Sequence, residues 1–190
     1  MALPLFMSGG AMVLVREEAG APGASLGELK DYLRITGDGE DALLEALLLS
    51  ATGLCEQFVG QWLMIGEARE TVRADGGWQR LTARPVIAVL GVDAVTPDGE
   101  AEALPVEDYA VDIDAAGDGW VRVHLAGERR VAAVRYRAGL AEEPDGLPGA
   151  IRQGIVRLAA EHFAARGGDM PSPPAVVSAL WRPWRRMRLA

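Results

Sequence analysis

The chain has one cysteine, Cys55, one lysine, Lys30, and two histidines, His124 and His162, among 190 residues. A single cysteine excludes an internal disulfide, and the sequence holds no Cys/His cluster with zinc-ligand spacing. No glycine-rich phosphate loop surrounds Lys30. No uninterrupted apolar run reaches the ~18 residues of a membrane span. The start, Met1 to Val15, is apolar, but it has no basic region and is broken by Ser8, Gly9 and Gly10, which argues against a secretory leader. These absences predict a bacterial cytoplasmic product with no metal, no cofactor and no membrane partner.

Apolar residues make up 49% of the chain, enough for a buried core. Formal charge is −8, and it is unevenly spread. Residues 181–190 carry four arginines and no acid, which leaves 15 basic against 27 acidic residues in the rest. An anionic body of this kind repels nucleic acid and anionic membranes in general. Arginine supplies 18 of the 19 basic residues, which together with abundant alanine and glycine reads as a GC-rich genome.

Residues 1–24 are weakly patterned and form an expected N-terminal extension. Ser25-Leu26-Gly27-Glu28 is a capping box, in which each side chain satisfies the other's end of the first helical turn. It predicts a helix over 25–34. Leu44, Leu47, Leu48, Ala51, Leu54, Cys55 and Phe58 recur at three- and four-residue steps and predict a helix over 40–62. From 66 to 139 the period becomes alternating. Tyr109, Val111 and Ile113 fall on one strand face, and Val121, Val123 and Leu125 share another, with Trp120, Arg122 and His124 opposite. Ala132, Val134 and Tyr136 alternate with Ala133, Arg135 and Arg137. Val86 to Val92 is apolar on both faces and suits a central strand. Turns are expected at 75–77, 97–99 and 114–119. Pro148 opens a third helix over 148–166. The fold class is therefore α+β: long helices packed together, a small antiparallel β unit inserted at 66–139, and an extended C-terminal arm over 171–190 attached to a domain of 25–170.

Candidate chemistry is sparse. Gly37-Asp38-Gly39-Glu40-Asp41-Ala42 copies the spacing of a dinucleotide fingerprint, but it follows a helix, and its acids would face the pyrophosphate; it reads as a turn with acids at a helix start. Neither histidine has a partner at a spacing that implies a base or nucleophile. Cys55 sits in the apolar rhythm of a helix beside Glu56, as a core residue does. Glu142, Glu143 and Asp145 read as solvated loop charge. No catalytic site is expected. The tail is different: Trp181, Arg182, Trp184, Arg185, Arg186 and Arg188 combine the side chains most enriched at interface hot spots. Docking into a groove of another protein is the favoured reading. Nucleic-acid binding by arginine–phosphate contact and tryptophan stacking is an alternative. Folding back on the acidic body is another.

The order of these elements, with the phrases Ser25 to Ile35, Glu40 to Leu44, Arg84-Pro85-Val86, Tyr109-Ala110-Val111, Val134 to Gly139 and Leu147-Pro148 before Ile151, resembles the head–tail connector (adaptor) proteins of tailed phages and phage-like gene transfer agents. The resemblance spans about Ser25 to Leu189. It implies a structural subunit of a homo-oligomeric, dodecameric ring beneath the portal protein at the capsid vertex. Such a ring extends the DNA channel, lets DNA pass without specific binding, and meets a downstream tail-completion or stopper protein. It also implies assembly in the bacterial cytoplasm and residence at the head–tail interface of the finished particle, with the C-terminal segment gripping the portal. The stretch before Ser25 is longer, and the ending richer in tryptophan and arginine, than the resemblance leads one to expect.

Overall fold

The structure, a computed structural model, describes residues 13–18, 20–96, 99–125, 131–165 and 173–186. They form two compact units of an α+β chain. One is helical (Gly20–Ile65 with the described residues from Leu140 onward). The other is a β unit (the described residues of Met1–Ala19 with Gly66–Gly139).

In the helical unit, α1 (Leu26–Leu33) starts on the expected capping box: Ser25 Oγ accepts the Glu28 amide at 3.1 Å, and the Glu28 carboxylate accepts the Ser25 amide at 2.9 Å. The long helix α2 (Asp41–Val59) stops three residues short of the expected Trp62. Gly60 turns the chain left-handed at φ 70° and gives its amide to the Glu56 carbonyl, a conformation that glycine adopts without steric cost. Helix α3 (Gly149–Ala164) follows Pro148. Where an extended arm is expected, the chain instead forms α4 (Ala175–Trp181) and a 3-10 turn over Arg182–Trp184. The core joins Leu44, Leu48 and Cys55 of α2, Ile151, Ile155 and Leu158 of α3, and Val177 and Trp181 of α4.

The β unit contains β1 (Leu14–Arg16), β2 (Gly66–Arg73), β3 (Asp75–Arg80), β4 (Val86–Val95), β5 (Ala101–Ala103), β6 (Tyr109–Ile113), β7 (Gly119–His124) and β8 (Val131–Ala138). They make a five-stranded sheet in the order β1-β2-β8-β4-β5 and a three-stranded sheet in the order β3-β7-β6, with every pairing antiparallel. Val121 and Val123 are buried while Arg122 and His124 face out, as their alternation predicts. Three details differ from the sequence reading. Leu14–Arg16, placed in a loose extension, is a strand on β2. The Asp75-Gly76-Gly77 turn is the irregular start of β3. The apolar run of β4 is not sealed on both faces: its register slips at Val86/Ala88 and Val89/Gly91, β5 pairs only with Asp93–Val95, and Ile87 and Leu90 are left exposed.

This unit buries a charge. Glu70 on β2 is enclosed, and its carboxylate accepts the Tyr136 hydroxyl at 2.6 Å, the Thr82 hydroxyl at 2.6 Å and the Thr82 amide at 2.9 Å. The Tyr136 oxygen in turn accepts the Ala83 amide at 3.0 Å. Burial, and after it the Glu70 carboxylate, push the Tyr136 phenol well above its ordinary range. A buried polar group is tolerable when its partners are all present, and this network ties the segment before β4 to the sheet.

Candidate partner-binding site

The C-terminal segment is assembled around Trp181. Val177 and Trp181, four residues apart on α4, point into the helical unit and are fully buried. The indole Nε1–H donates to the Ile151 carbonyl at 3.3 Å, and the ring lies tilted against Phe58 with centroids 5.8 Å apart. Its slot exists because α3 has glycine at 154, where a Cβ would stand 2.2 Å from Trp181 Nε1. Trp181, one of the expected portal-docking residues, is enclosed in this structure: the largest side chain of the segment is a peg in its own core. Phe58 was read from the sequence only as part of the apolar stripe of α2, and Gly154 and the Ile151 carbonyl, which complete the slot, were not singled out. The available hint was a glycine in the middle of a helix, where it costs about 1 kcal/mol relative to alanine.

Beyond the peg the segment is clamped by its backbone. Gln61 Nε2 donates to the Trp184 carbonyl at 2.9 Å, and the Arg186 amide donates to the Val59 carbonyl at 3.0 Å. This leaves Arg182, Trp184 and Arg185 exposed and Arg186 partly so. Trp184 is 38% exposed, and the Arg185 guanidinium lies over the Phe58 ring at 5.6 Å. Arg188 lies outside the described residues. The structure thus brings three arginines and one indole together on the surface, on a mount fixed by Trp181. Base stacking by Trp181, one part of the nucleic-acid alternative, is unavailable while the indole is enclosed.

The other candidates land separately. Lys30 Nζ pairs with Asp41 at 2.7 Å, holding the start of α2 to α1. Cys55 is buried, and burial together with the Glu56 charge pushes its thiol well above its ordinary range, away from thiolate chemistry. His124 is exposed on β7. His162 is buried on α3 with neither ring nitrogen hydrogen-bonded among the described residues. Asp145 and Glu28 both contact Arg152, and Glu142 and Glu143 are exposed. Among the described residues no three His, Cys, Asp or Glu side chains are grouped to hold a metal.

No protein-family model matches the sequence, and no curated protein matches it. Solved structures do. The chain is similar to one in the neck of an empty gene transfer agent particle computed with C6 symmetry: TM-score 0.77, 23% identity, covering 94% of this chain and 97% of that one. It is similar to a chain in the virion of a native gene transfer agent particle, with TM-score 0.75, 24% identity, and 93% and 97% covered. A third match, from the neck of a native particle computed with C12 symmetry, has TM-score 0.72, 23% identity, and 94% and 97% covered. The chain therefore shares the fold of these gene transfer agent particle chains over nearly its whole length.

Proposed function

We propose that this protein is a structural head–tail adaptor that forms a ring beneath the portal, extends the DNA channel and joins capsid to tail without catalysing a reaction. The observation that carries the reading is the fold likeness, at TM-score 0.77 across 94% of the chain, to a neck component. Necks computed with C6 and with C12 symmetry are both compatible with twelve copies, because a twelvefold ring contains the sixfold axis. The net charge of −8 suits a channel wall, since an anionic surface holds no phosphates by counterion release and DNA slides past it. The portal-facing set is Trp184, Arg185 and Arg186, with Arg188 following and Arg182 at its edge. Trp181 positions the set from inside. Particles form in the bacterial cytoplasm, and the far face of the ring receives the tail-completion or stopper protein.

Electron microscopy of the protein mixed with its portal tests the ring, and a paired variant tests the anchor. Trp184→Ala with Arg185→Glu is expected to melt like the parent chain and to fail to attach to capsids. Entry of that variant into tailed particles at parental yield would remove the anchor assignment. Indifference of the purified chain to short DNA at low salt is expected; strong, salt-sensitive binding would favour a nucleic-acid module instead.

A further inference from the structure

Helix α2 has two faces, and only one is accounted for by its own unit. Leu44, Leu48, Ala51, Thr52, Cys55 and Val59 fill the core. At 100° per residue the opposite arc is swept by Ala42, Leu43, Ala46, Leu49, Ser50, Gly53 and Gln57. A solvent-facing helix surface ordinarily carries charge. This one does not: Leu43 is 45% exposed, Leu49 is 42% exposed, and α2 has no basic residue at all. By length and composition α2 is apolar enough to cross a membrane, although the sequence has no unbroken run of that kind. Its buried face is sealed in protein, so the surplus apolar surface belongs to the outer arc.

Gly53 sharpens the point. Gly154 is needed inside, because Trp181 occupies the space of a Cβ. Among the described residues a Cβ on Gly53 would meet nothing within 4 Å, and its backbone is ordinary helix. Nothing among the described residues of the unit explains why α2 carries a helix-weakening residue in the centre of its outer arc. A surface that approaches from outside to backbone distance does explain it.

A complementary surface exists on the same unit. The outer side of α4 shows Ala175, Val176 and Ala179, with Val176 49% exposed, and Arg182 continues that side into the 3-10 turn. Described residues 173–186 contain three arginines and no acid, whereas α2 contains Asp41, Glu45 and Glu56 and no base, with Glu45 exposed at the rim of its arc. One patch is apolar with an acidic rim, the other apolar with a basic rim. Two different, complementary patches on one subunit define a heterologous, head-to-tail contact of the kind that closes into a ring.

We propose that the outer arc of α2, centred on Ala46, Leu49 and Gly53, docks a second copy of this chain through the Val176–Ala179–Arg182 side of its α4, with Glu45 facing Arg182. This rests on the ring reading above and supplies its subunit contact. Arg182, at the edge of the portal-facing set, reaches the neighbouring copy, while Trp184, Arg185 and Arg186 serve the portal.

Sedimentation velocity of the purified full chain across a concentration series is the test. The parent chain is expected to self-associate. Leu49→Glu weakens association about tenfold or more, as loss of a central apolar contact does. Gly53→Ala weakens association while raising the melting temperature of the monomer by roughly 2–4 °C, two effects that a merely local role for the glycine would not combine. Glu45→Arg and Arg182→Glu each weaken association, and the double swap restores it. A parent chain that stays monomeric throughout, variants that associate like the parent, or a double swap no better than its singles would overturn the proposal. So would Leu49-dependent flotation with phosphatidylcholine–phosphatidylglycerol vesicles, which would give the face to lipid. Purified particles separate this from the ring reading. If the parent chain is absent from them, the ring reading falls. If it is present and Leu49→Glu enters equally well, only the α2 contact falls.

Discussion

The helical unit and the β unit enclose opposite kinds of interior. The core of the first is largely hydrocarbon packed around the Trp181 indole, whose N–H donates to the Ile151 carbonyl. The second surrounds a carboxylate, Glu70, with three donors at 2.6–2.9 Å. An apolar core fails by leaving a hole, at a cost that scales with the volume lost. A buried carboxylate fails when a single donor is removed, even if no volume changes. The two units therefore respond to different kinds of substitution.

The largest effect is expected at the peg. Trp181→Ala should cost about 3–5 kcal/mol in denaturant unfolding, because α3 and Phe58 are shaped to the ring it removes. A cost below ~1 kcal/mol would show that the slot collapses freely and that the basic set needs no such mount. Next is Tyr136→Phe, nearly isosteric, which strips one donor from Glu70 and one acceptor from the Ala83 amide. It should cost about 1.5–3 kcal/mol by the same measurement, and a neutral result would mean that water replaces the phenol.

Alkaline pH separates the units by onset. The Cys55 thiol is raised by burial and then by Glu56, and the Tyr136 phenol by burial and then by Glu70, so both are held neutral in the fold. A folded-state value above the unfolded one gives stability that is complete below the unfolded value and is lost as pH rises past it. For the thiol this loss begins near about pH 8.5, and for the phenol near about pH 10. Between pH 8 and 9.5 the helical unit should lose about 1 kcal/mol and the β unit almost nothing. Urea unfolding at the two pH values, with Cys55→Ala as the control that flattens the change, checks the assignment. The smallest effect is at the cap: Ser25→Ala should cost about 1 kcal/mol, confined to the helical unit, because one side of a two-way capping box is lost.

How much was legible from sequence follows from the range of each interaction. The Ser25–Glu28 box, the inward side of α2 and the Val121/Val123 alternation are set within four residues of chain, and all appear in the structure. The exposure of Ile87 and Leu90 was not legible, because composition alone does not show where a register slips or how far β5 reaches along β4. The same holds for Leu14–Arg16, three unremarkable residues that become a strand only because β2 offers an edge. The tail was half legible: its tryptophan and arginine content is plain in the sequence, but not its division into an inner and an outer part.

Residue order by itself determined the α+β class, the positions of the main helices, the inserted β segment and the concentration of positive charge at the end, since each depends on neighbours a few residues apart. Which tryptophan is a peg and which is a surface was decided by tertiary structure alone. That choice turns on the absence of a Cβ at Gly154 and on the reach of the Ile151 carbonyl, both some thirty residues away along the chain and in contact only after folding.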